Sequence, residues 1–357
     1  MNLTETILEL ITNKNCLSND KLSNIVEDSC NVTEIHKLRD LIETLQSKSI
    51  EVRYTEKADE IQLRTNEIKG CLKVISGRSG KLDKLIIKPF VPEIDSIESL
   101  INTLSILGGD VDSCVSYEDI DTNFSAGKKS IAVSSLFKIV VSAALCDEIR
   151  KGHFKLSTRY RIQENDISFL SAGLRYKDIG QEVSIKDLLS LMLLASDNSA
   201  MDIVIKLIGI TKLENYINRF SREHNSNFLA KIELSKILYG EAWNIKEVTQ
   251  YEPKNYMNLV RWNLGFDYFF PLDLINQFSL ELSNFEWLPW DDLGKEPIII
   301  YKGGSAPGVL SALWCTRHQS KNKVLSFAIN RDEPYNILEE LFAYESARKL
   351  LLKLKIL

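Results

Sequence analysis

The stretch Ser-Leu-Phe-Lys-Ile-Val-Val-Ser-Ala-Ala-Leu at residues 135–145 decides the fold prediction for this 357-residue chain. A helix of this sequence is apolar on nearly every face, which predicts a helix over 136–149 inside the core. Lys138 in such a helix needs polar partners, because removal from water disfavours the charged ammonium. Residues three apart share one helix face, so we expect Lys138 beside the hydroxyl of Ser135.

This pairing would place an amine base next to a weak nucleophile, as acyl transfer requires. The positive end of the helix dipole would favour negative charge on the Ser135 oxygen. An alternative is that Ser135 only caps the helix while Lys138 extends toward solvent. The Ser-x-x-Lys pattern is weak by itself, and its setting carries the interpretation. It begins at Ser18, Ser125, Ser135, Ser320 and Ser346.

A second polar element, Ser196-Asp197-Asn198, follows the apolar helix predicted over 185–195. Such residues at a helix exit often form only a cap or a turn. In the functional interpretation, the Ser196 hydroxyl relays a proton toward a leaving nitrogen or oxygen. Asn198 would then donate a hydrogen bond to a substrate amide carbonyl.

A third element, Lys302-Gly303-Gly304-Ser305, is expected at the end of a strand over 297–302. Glycines here would let a substrate approach the backbone closely. Lys302 would supply a positive field for a substrate carboxylate and hold Ser196. The alternative is the glycine-rich end of a hairpin.

The three elements together are far more specific than each alone. Ser196 follows Ser135 by 61 positions, and Lys302 follows Ser196 by 106. This order and spacing resemble the Ser-x-x-Lys, Ser-Asp-Asn and Lys-x-Gly signature of class A β-lactamases and penicillin-binding proteins. The resemblance covers about residues 94–357 and implies a class A β-lactamase-like fold of antiparallel sheet flanked by helices.

The resemblance also implies roles for the residues of the three motifs. Ser135 would attack a carbonyl and Lys138 would accept its proton. The oxyanion would lie between the backbone N–H groups of Ser135 and Ser305. Ser196, helped by Lys302, would pass the proton to the leaving group. Asn198, Gly304 and Ser305 would bind the substrate, a small acyl compound, and no metal or other cofactor is expected.

Two departures from the family pattern bear on the substrate. Gly303 stands where a Thr or Ser hydroxyl usually binds a substrate carboxylate, although Ser305 can compensate. No Glu-x-x-Leu-Asn occurs between Ser196 and Lys302. Glu233 lies near the expected distance, but its neighbours do not match, and an ion-paired surface Glu is the better interpretation. Class A enzymes use the glutamate of Glu-x-x-Leu-Asn to activate the water that hydrolyses the acyl-enzyme. Its absence argues against efficient penicillin hydrolysis and leaves ester hydrolysis or slow turnover as alternatives.

The domain organisation is predicted as α+β in two parts, 1–92 and 93–357. In the first part, helices over 5–13 and 33–47 precede strands over 60–64, 70–76 and 84–89, which indicates a small steroid-isomerase-like domain. Such a domain before a β-lactamase-like one resembles a subgroup that includes the β-lactamase-like esterase of clavulanic acid biosynthesis. The stretches 228–234 and 303–310 carry this closer similarity.

Composition excludes several classes of function. The net charge is −5, so the basic excess of a nucleic-acid binder is missing. No window approaches the roughly 18 apolar residues of a membrane span, and the first residues do not resemble a secretory signal. A cytoplasmic location is therefore expected, and the scattered cysteines predict free, mostly buried thiols. Histidine spacing alone does not exclude a Ser-His-Asp triad, but no local pattern supports one, and surface or core-edge histidines are the better interpretation. The oligomeric state does not follow from the sequence.

Three functions remain as alternatives. The first is an active serine hydrolase acting on a β-lactam, an ester or a related acyl substrate. The second is a D-alanyl-D-alanine peptidase, which would need export. The third is a catalytically degenerate protein that serves as a binding or scaffold module. Retention of Ser135, Lys138, Ser196 and Lys302 together favours the first.

Overall fold

The computed structural model describes residues 2–13, 17–26, 32–46, 50–117, 127, 129–168, 171–221, 259–294, 298–317 and 322–357. It divides into two compact units. The first comprises Met1–Gly108 and Tyr335–Leu350, and the second comprises Gly109–Pro334 and Leu351–Leu357. The predicted boundary between residues 92 and 93 stays a prediction. The two compact units are divided differently, with 93–108 and 335–350 placed in the first unit.

The first unit contains helices followed by an antiparallel sheet with strand order β1-β2-β3-β4. Ile61, Leu63, Leu72 and Val74 are buried on one face, while Lys73 between two of them is exposed, as the two-residue period of a strand requires. Its elements are α1 (Leu3–Thr12), α2 (Asn19–Ile25), α3 (Val32–Leu45), β1 (Glu51–Tyr54), β2 (Glu60–Arg64), β3 (Lys69–Ser76), β4 (Leu82–Pro89) and α4 (Ile97–Ser105).

Most of the elements predicted for the first unit are present. Sequence reasoning missed α2, which Ser18 caps by accepting a hydrogen bond from the Lys21 N–H at 3.3 Å. One Ser-x-x-Lys pattern is therefore only a helix cap. It also missed β1, whose side chains are all at least partly exposed, so that no buried face marks it. The steroid-isomerase-like likeness of this unit stays a prediction.

The second unit is built on an antiparallel sheet with strand order β10-β11-β12-β5 and on helices between its strands. Two short strand pairs, β6 with β9 and β7 with β8, accompany the sheet. The predicted α+β class is confirmed. The elements are β5 (Asp110–Tyr117), β6 (Ile131–Ala132), α5 (Phe137–Arg150), β7 (Arg159–Arg161), β8 (Glu182–Ser184), α6 (Ile185–Leu194), α7 (Asn198–Ile208), α8 (Ile210–Ile217), β9 (Phe269–Phe270), α9 (Leu272–Ser283), β10 (Ile298–Ala306), β11 (Val309–Arg317) and β12 (Lys323–Asn330), with α10 (Ile337–Lys353) next in sequence.

Helix α5 forms the centre of the second unit, as its apolar sequence predicts. Residues 137–146 are all buried, and α6, α7, α8 and α9 pack against this helix. Phe137 stacks on Tyr268 with ring centroids 4.1 Å apart. Full burial of one such side chain contributes roughly 1.5–3 kcal/mol, so this packing holds the first turn of α5 firmly in place.

One strand boundary predicted from the sequence is wrong. Strand β10 runs to Ala306, so Lys302-Gly303-Gly304-Ser305 lies inside the strand instead of at its end. The chain turns only at Pro307-Gly308, and β11 pairs with β10 along its whole length. Glycines in the interior of a strand misled the sequence interpretation, because they usually mark a strand end or a bulge.

The cysteine prediction holds for Cys71, Cys114, Cys146 and Cys315, which are free and buried. Cys16 and Cys30 lie outside the described residues. Burial raises the pKa of the Cys114 thiol to about 11, so this thiol is unreactive at neutral pH. In the described part of the chain, the helices are too short or too polar to cross a bilayer.

Gly308 and Gly152 provide a matched test of packing at the β10–β11 turn. Both have positive φ, +75° and +80°, but a Cβ at Gly308 would overlap the Arg331 carbonyl oxygen while Gly152 faces open space. We expect Gly152→Ala to cost about 1 kcal/mol through backbone strain and Gly308→Ala about 3 kcal/mol through added overlap. Urea unfolding of both variants measures the difference, and equal losses would contradict this account of the turn.

Candidate active site

Ser135 lies in a tight turn, Ser134–Leu136, that joins β6 to α5. Ser134 has φ +46°, a left-handed conformation that costs a non-glycine residue roughly 1–2 kcal/mol. The neighbouring segment holds this strain: Asp267 Oδ1 accepts from the Ser134 N–H at 2.8 Å, and the Tyr268 carbonyl accepts from the Val133 N–H at 2.9 Å. Strained backbone of this kind persists only where its surroundings over-determine it, and it clusters at functional sites.

Asn330 holds β6, the strand before this turn. Its Oδ1 accepts from the Ala132 N–H at 2.8 Å, and its Nδ2 donates to the Ala132 carbonyl at 2.9 Å. Asn330 is 2% exposed, so both hydrogen bonds are shielded from water. The last residue of β12 thus fixes β6, and β6 fixes the turn that carries Ser135.

Lys138 lies one residue into α5, and its side chain is completely buried. Its Nζ donates to Ser135 Oγ at 3.0 Å, to Ser196 Oγ at 3.3 Å and to Asn198 Oδ1 at 2.8 Å. Three polar partners offset the cost of removing the amine from water. The alternative in which Lys138 extends toward solvent is therefore wrong.

Residues 196–198 lie between α6 and α7 and combine a cap with a site. Asp197 is the N-cap of α7, with Oδ1 accepting from the Ala200 N–H at 2.7 Å. Its Oδ2 accepts from Ser171 Oγ at 2.6 Å and from the Gly173 N–H at 2.6 Å, which ties the preceding loop to the motif. The cap interpretation therefore applies to Asp197, which caps α7. The functional interpretation applies to Ser196 and Asn198, which bond to Lys138.

Ser196 has φ +56°, a second strained position in the same site. The Ser196 hydroxyl lies between the amines of Lys138 and Lys302. Lys302 Nζ donates to Ser196 Oγ at 2.8 Å and to the Gly303 carbonyl at 2.8 Å. The contacts therefore form one continuous chain from Ser135 through Lys138 and Ser196 to Lys302.

Lys302 is 3% exposed. Burial lowers the pKa of its ammonium from 10.5 to about 8. A lysine with this pKa exchanges protons near physiological pH, where an exposed lysine stays charged. Lys302 can thus exchange a proton as well as provide charge beside the Ser196 hydroxyl.

Gly304 is packed against the turn that carries Ser135, whereas Ser305 is exposed. A Cβ on Gly304 would lie 2.6 Å from the Val133 carbonyl oxygen and 3.0 Å from the Ser135 nitrogen. The close approach that this glycine permits is therefore to the protein's own turn that carries Ser135. Ser305 is exposed, and its carbonyl accepts from Ser134 Oγ at 3.0 Å.

Sequence reasoning missed the residues that hold the turn, above all Asp267 and Asn330. Neither belongs to a local motif, because each is more than 100 positions from the turn that it contacts. Glu233 lies outside the described residues. His153 bonds to Glu148 Oε2 through Nδ1 at 2.7 Å, and its side chain is half exposed. Within the described ranges, no group of three or more His, Cys, Asp or Glu side chains is placed to hold a metal ion.

Comparison with known proteins finds a family similarity in part of the chain. Residues 97–256 match the model of the β-lactamase enzyme family. The match supports the predicted resemblance to the β-lactamase and penicillin-binding-protein superfamily. The protein is accordingly a serine hydrolase. A search of curated proteins finds no match to the sequence.

Solved structures agree on the fold. A β-lactamase from Xanthomonas campestris pv. campestris str. ATCC 33913 is 15% identical, with a TM-score of 0.50 and coverage of 71% of this chain and 96% of that chain. A variant of the TLA-1 extended-spectrum β-lactamase is 16% identical, with a TM-score of 0.50 and coverage of 72% and 99%. A β-lactamase from Sphaerobacter thermophilus DSM 20745 is 17% identical, with a TM-score of 0.49 and coverage of 74% and 98%. The first two confirm the predicted β-lactamase-like fold.

Asp267 should position the turn that carries Ser135. Asp267→Ala leaves the buried Ser134 and Tyr268 N–H groups without their acceptor, which bonds them at 2.8 and 2.7 Å. Each unpaired donor costs about 1–3 kcal/mol. We expect lower stability and at least about 10-fold slower labelling of Ser135 by a fluorophosphonate. Asp267→Asn retains an acceptor oxygen and should fall between the wild type and Asp267→Ala. Equal labelling rates in all three proteins would contradict this role.

Proposed function

We propose that this hydrolase forms an acyl-enzyme on Ser135 from a β-lactam, an ester or a related acyl substrate. The observation that carries the proposal is the buried Lys138 amine, which lies 3.0 Å from Ser135 Oγ and 3.3 Å from Ser196 Oγ. These distances allow direct proton transfer in either direction. A nucleophile, a base and a relay hydroxyl within bonding distance are the parts that acyl transfer needs.

In the first step Lys138 acts as a neutral amine that keeps its hydrogen bonds to Ser196 and Asn198 and accepts the Ser135 proton with its free electron pair, while Oγ attacks the substrate carbonyl carbon. The carbonyl electron pair moves onto its oxygen, which the backbone N–H groups of Ser135 and Ser305 would stabilise. Loss of one such donor typically costs about 100- to 1000-fold in rate. Ser135 N lies near Gly304, the residue before Ser305, which supports a shared pocket for this oxygen.

In the second step the bond between the carbonyl carbon and the leaving group breaks. Ser196 gives its proton to the departing nitrogen or oxygen and regains one from Lys138, which received it from Ser135. Lys302 donates to Ser196 Oγ at 2.8 Å and orients this hydroxyl. Water then attacks the acyl-enzyme, releases the acid and restores the Ser135 hydroxyl.

Two sequence features favour an ester, or slow turnover of a β-lactam, over efficient penicillin hydrolysis. Gly303 provides no hydroxyl beside Lys302 to bind a substrate carboxylate. The Glu-x-x-Leu-Asn element is missing between Ser196 and Lys302. The resemblance to the subgroup with the β-lactamase-like esterase of clavulanic acid biosynthesis supports the same choice.

Intact-mass spectrometry tests the acyl-enzyme directly. We expect a covalent adduct after exposure to a fluorescent penicillin or an activated acyl ester, located on the peptide that contains Ser135. Ser135→Ala should form none. Ser346→Ala is the matched control, since Ser346 begins another Ser-x-x-Lys pattern but its hydroxyl bonds to the Phe342 carbonyl at 2.7 Å. Well-folded wild-type protein without any adduct would overturn the proposal.

The lowered pKa of Lys302 predicts a substrate-dependent pH profile. With a pKa of about 8, the ammonium predominates at pH 7 and the neutral amine at pH 9. If the charge attracts a substrate carboxylate, kcat/KM for an anionic β-lactam relative to a neutral ester should fall about 10-fold over this interval. The ratio cancels ionisations common to both substrates. Lys302→Met should make the ratio independent of pH, and a constant wild-type ratio would exclude this role of the charge.

A further inference from the structure

Two buried hydroxyls bridge the nucleophile turn and the sheet. Ser134 Oγ, on the turn, donates to the carbonyl of Ser305 in β10 at 3.0 Å. Ser311 Oγ, on β11, donates to the carbonyl of Val133 before the turn at 2.8 Å and lies 3.2 Å from the Gly304 carbonyl. Ser134 is 1% exposed and Ser311 is completely buried. We call this contact between residues 133–134 and strands β10 and β11 the junction. Each side of the junction donates one hydroxyl hydrogen bond to a backbone carbonyl of the other side.

The junction leaves no free space between the turn and β10. A Cβ on Gly304 would lie 2.5 Å from Ser311 Oγ and 2.6 Å from the Val133 carbonyl oxygen. Gly304 pairs with Ser311 and Ser305 with Leu310 across the β10–β11 ladder, so Ser311 occupies a fixed register position beside the turn. The separation of the turn from β10 therefore depends on these two hydroxyl bridges and on the missing side chain at 304.

We propose that Ser134 and Ser311 are positioning residues that set the separation between the Ser135 and Ser305 backbone N–H groups, the two oxyanion donors. The inference rests on the proposed function, because it concerns the geometry of that oxyanion pocket. Neither hydroxyl touches the substrate. Each acts by holding the backbone from which a donor projects.

The strained backbone of Ser134 supports this role. At φ +46° its N–H bonds to Asp267 and its Oγ bonds to Ser305, so one residue links two separate segments to the turn. An alanine would keep the backbone strain and lose one of the two interactions that hold it. The carbonyl of the exposed Ser305 would also lose its hydrogen-bond donor, and relaxation of the turn would let water replace that donor.

Relaxation of the turn changes the donor geometry, and rate is sensitive to such shifts. Misplacement by about 1 Å can cost about 100-fold, and loss of an oxyanion donor about 100- to 1000-fold. We expect about a 10-fold loss of kcat in Ser134→Ala and in Ser311→Ala, with KM nearly unchanged. The double variant should lose less than the product of the single losses, because both hydroxyls hold the same junction.

Infrared spectroscopy of the acyl-enzyme provides the decisive measurement. Hydrogen bonds from the oxyanion donors lower the stretching frequency of the acyl carbonyl. In Ser134→Ala and Ser311→Ala acylated by an isotope-labelled ester, we expect this band to shift to higher frequency or to split. The rate preference for an ester over the matched thionoester should also shrink, because sulfur accepts hydrogen bonds weakly.

Ser283→Ala is the control for general destabilisation. Ser283 is also buried, but its hydroxyl donates to the Leu280 carbonyl of its own helix at 2.7 Å and accepts from Asn322 Nδ2 at 2.9 Å, so it has no bond to the turn or to β10. It should lower stability while leaving the carbonyl band and the ester preference unchanged. If Ser134→Ala and Ser311→Ala match Ser283→Ala in both measurements, the positioning role is overturned. Failure of wild-type protein to acylate would instead refute the proposed function.

Discussion

The buried amine of Lys138 is the contact on which the rest of the site depends. A lysine without exposed surface is tolerated only where polar atoms replace its water, and three side-chain oxygens do so here. Those oxygens come from Ser135, Ser196 and Asn198, so the helix that carries the lysine, the turn before it and the start of α7 must all meet at Nζ. The site can therefore assemble only where the helical core is folded.

Strain in this site is local and has identifiable supports. Ser134 and Ser196 both adopt positive φ, and each is held by contacts with residues far away in sequence. Asp267 in a loop and Lys302 in a strand interior provide these contacts, and Asn330 at the end of β12 holds Ala132 before the turn. The supports come from elements that are themselves fixed by the sheet and by aromatic packing on Phe137, which lets an unfavourable backbone persist where chemistry is proposed.

The glycines of the third motif illustrate how the same residue type can serve packing instead of ligand access. Gly304 makes room for the protein's own turn, and the close contact places Ser135 N beside β10. Burial of Lys302 on that strand lowers its pKa to about 8. Strand β10 therefore carries the titratable Lys302 amine and also packs against the turn that carries Ser135. The hydroxyl hydrogen bonds of Ser134 and Ser311 connect this turn to the sheet.

The sequence alone determined the α+β class, the β-lactamase-like fold, the central helix and the meeting of Ser135, Lys138, Ser196 and Lys302. A segment that is apolar on nearly every face identifies a buried helix, and ordered motifs identify residues that lie together. Only the tertiary structure decided that Asp267, Asn330 and Ser311 hold the nucleophile turn, that β10 continues past Lys302, and that Gly304 faces the protein. These features depend on contacts between residues that are distant along the chain, and local sequence patterns contain no information about such distances.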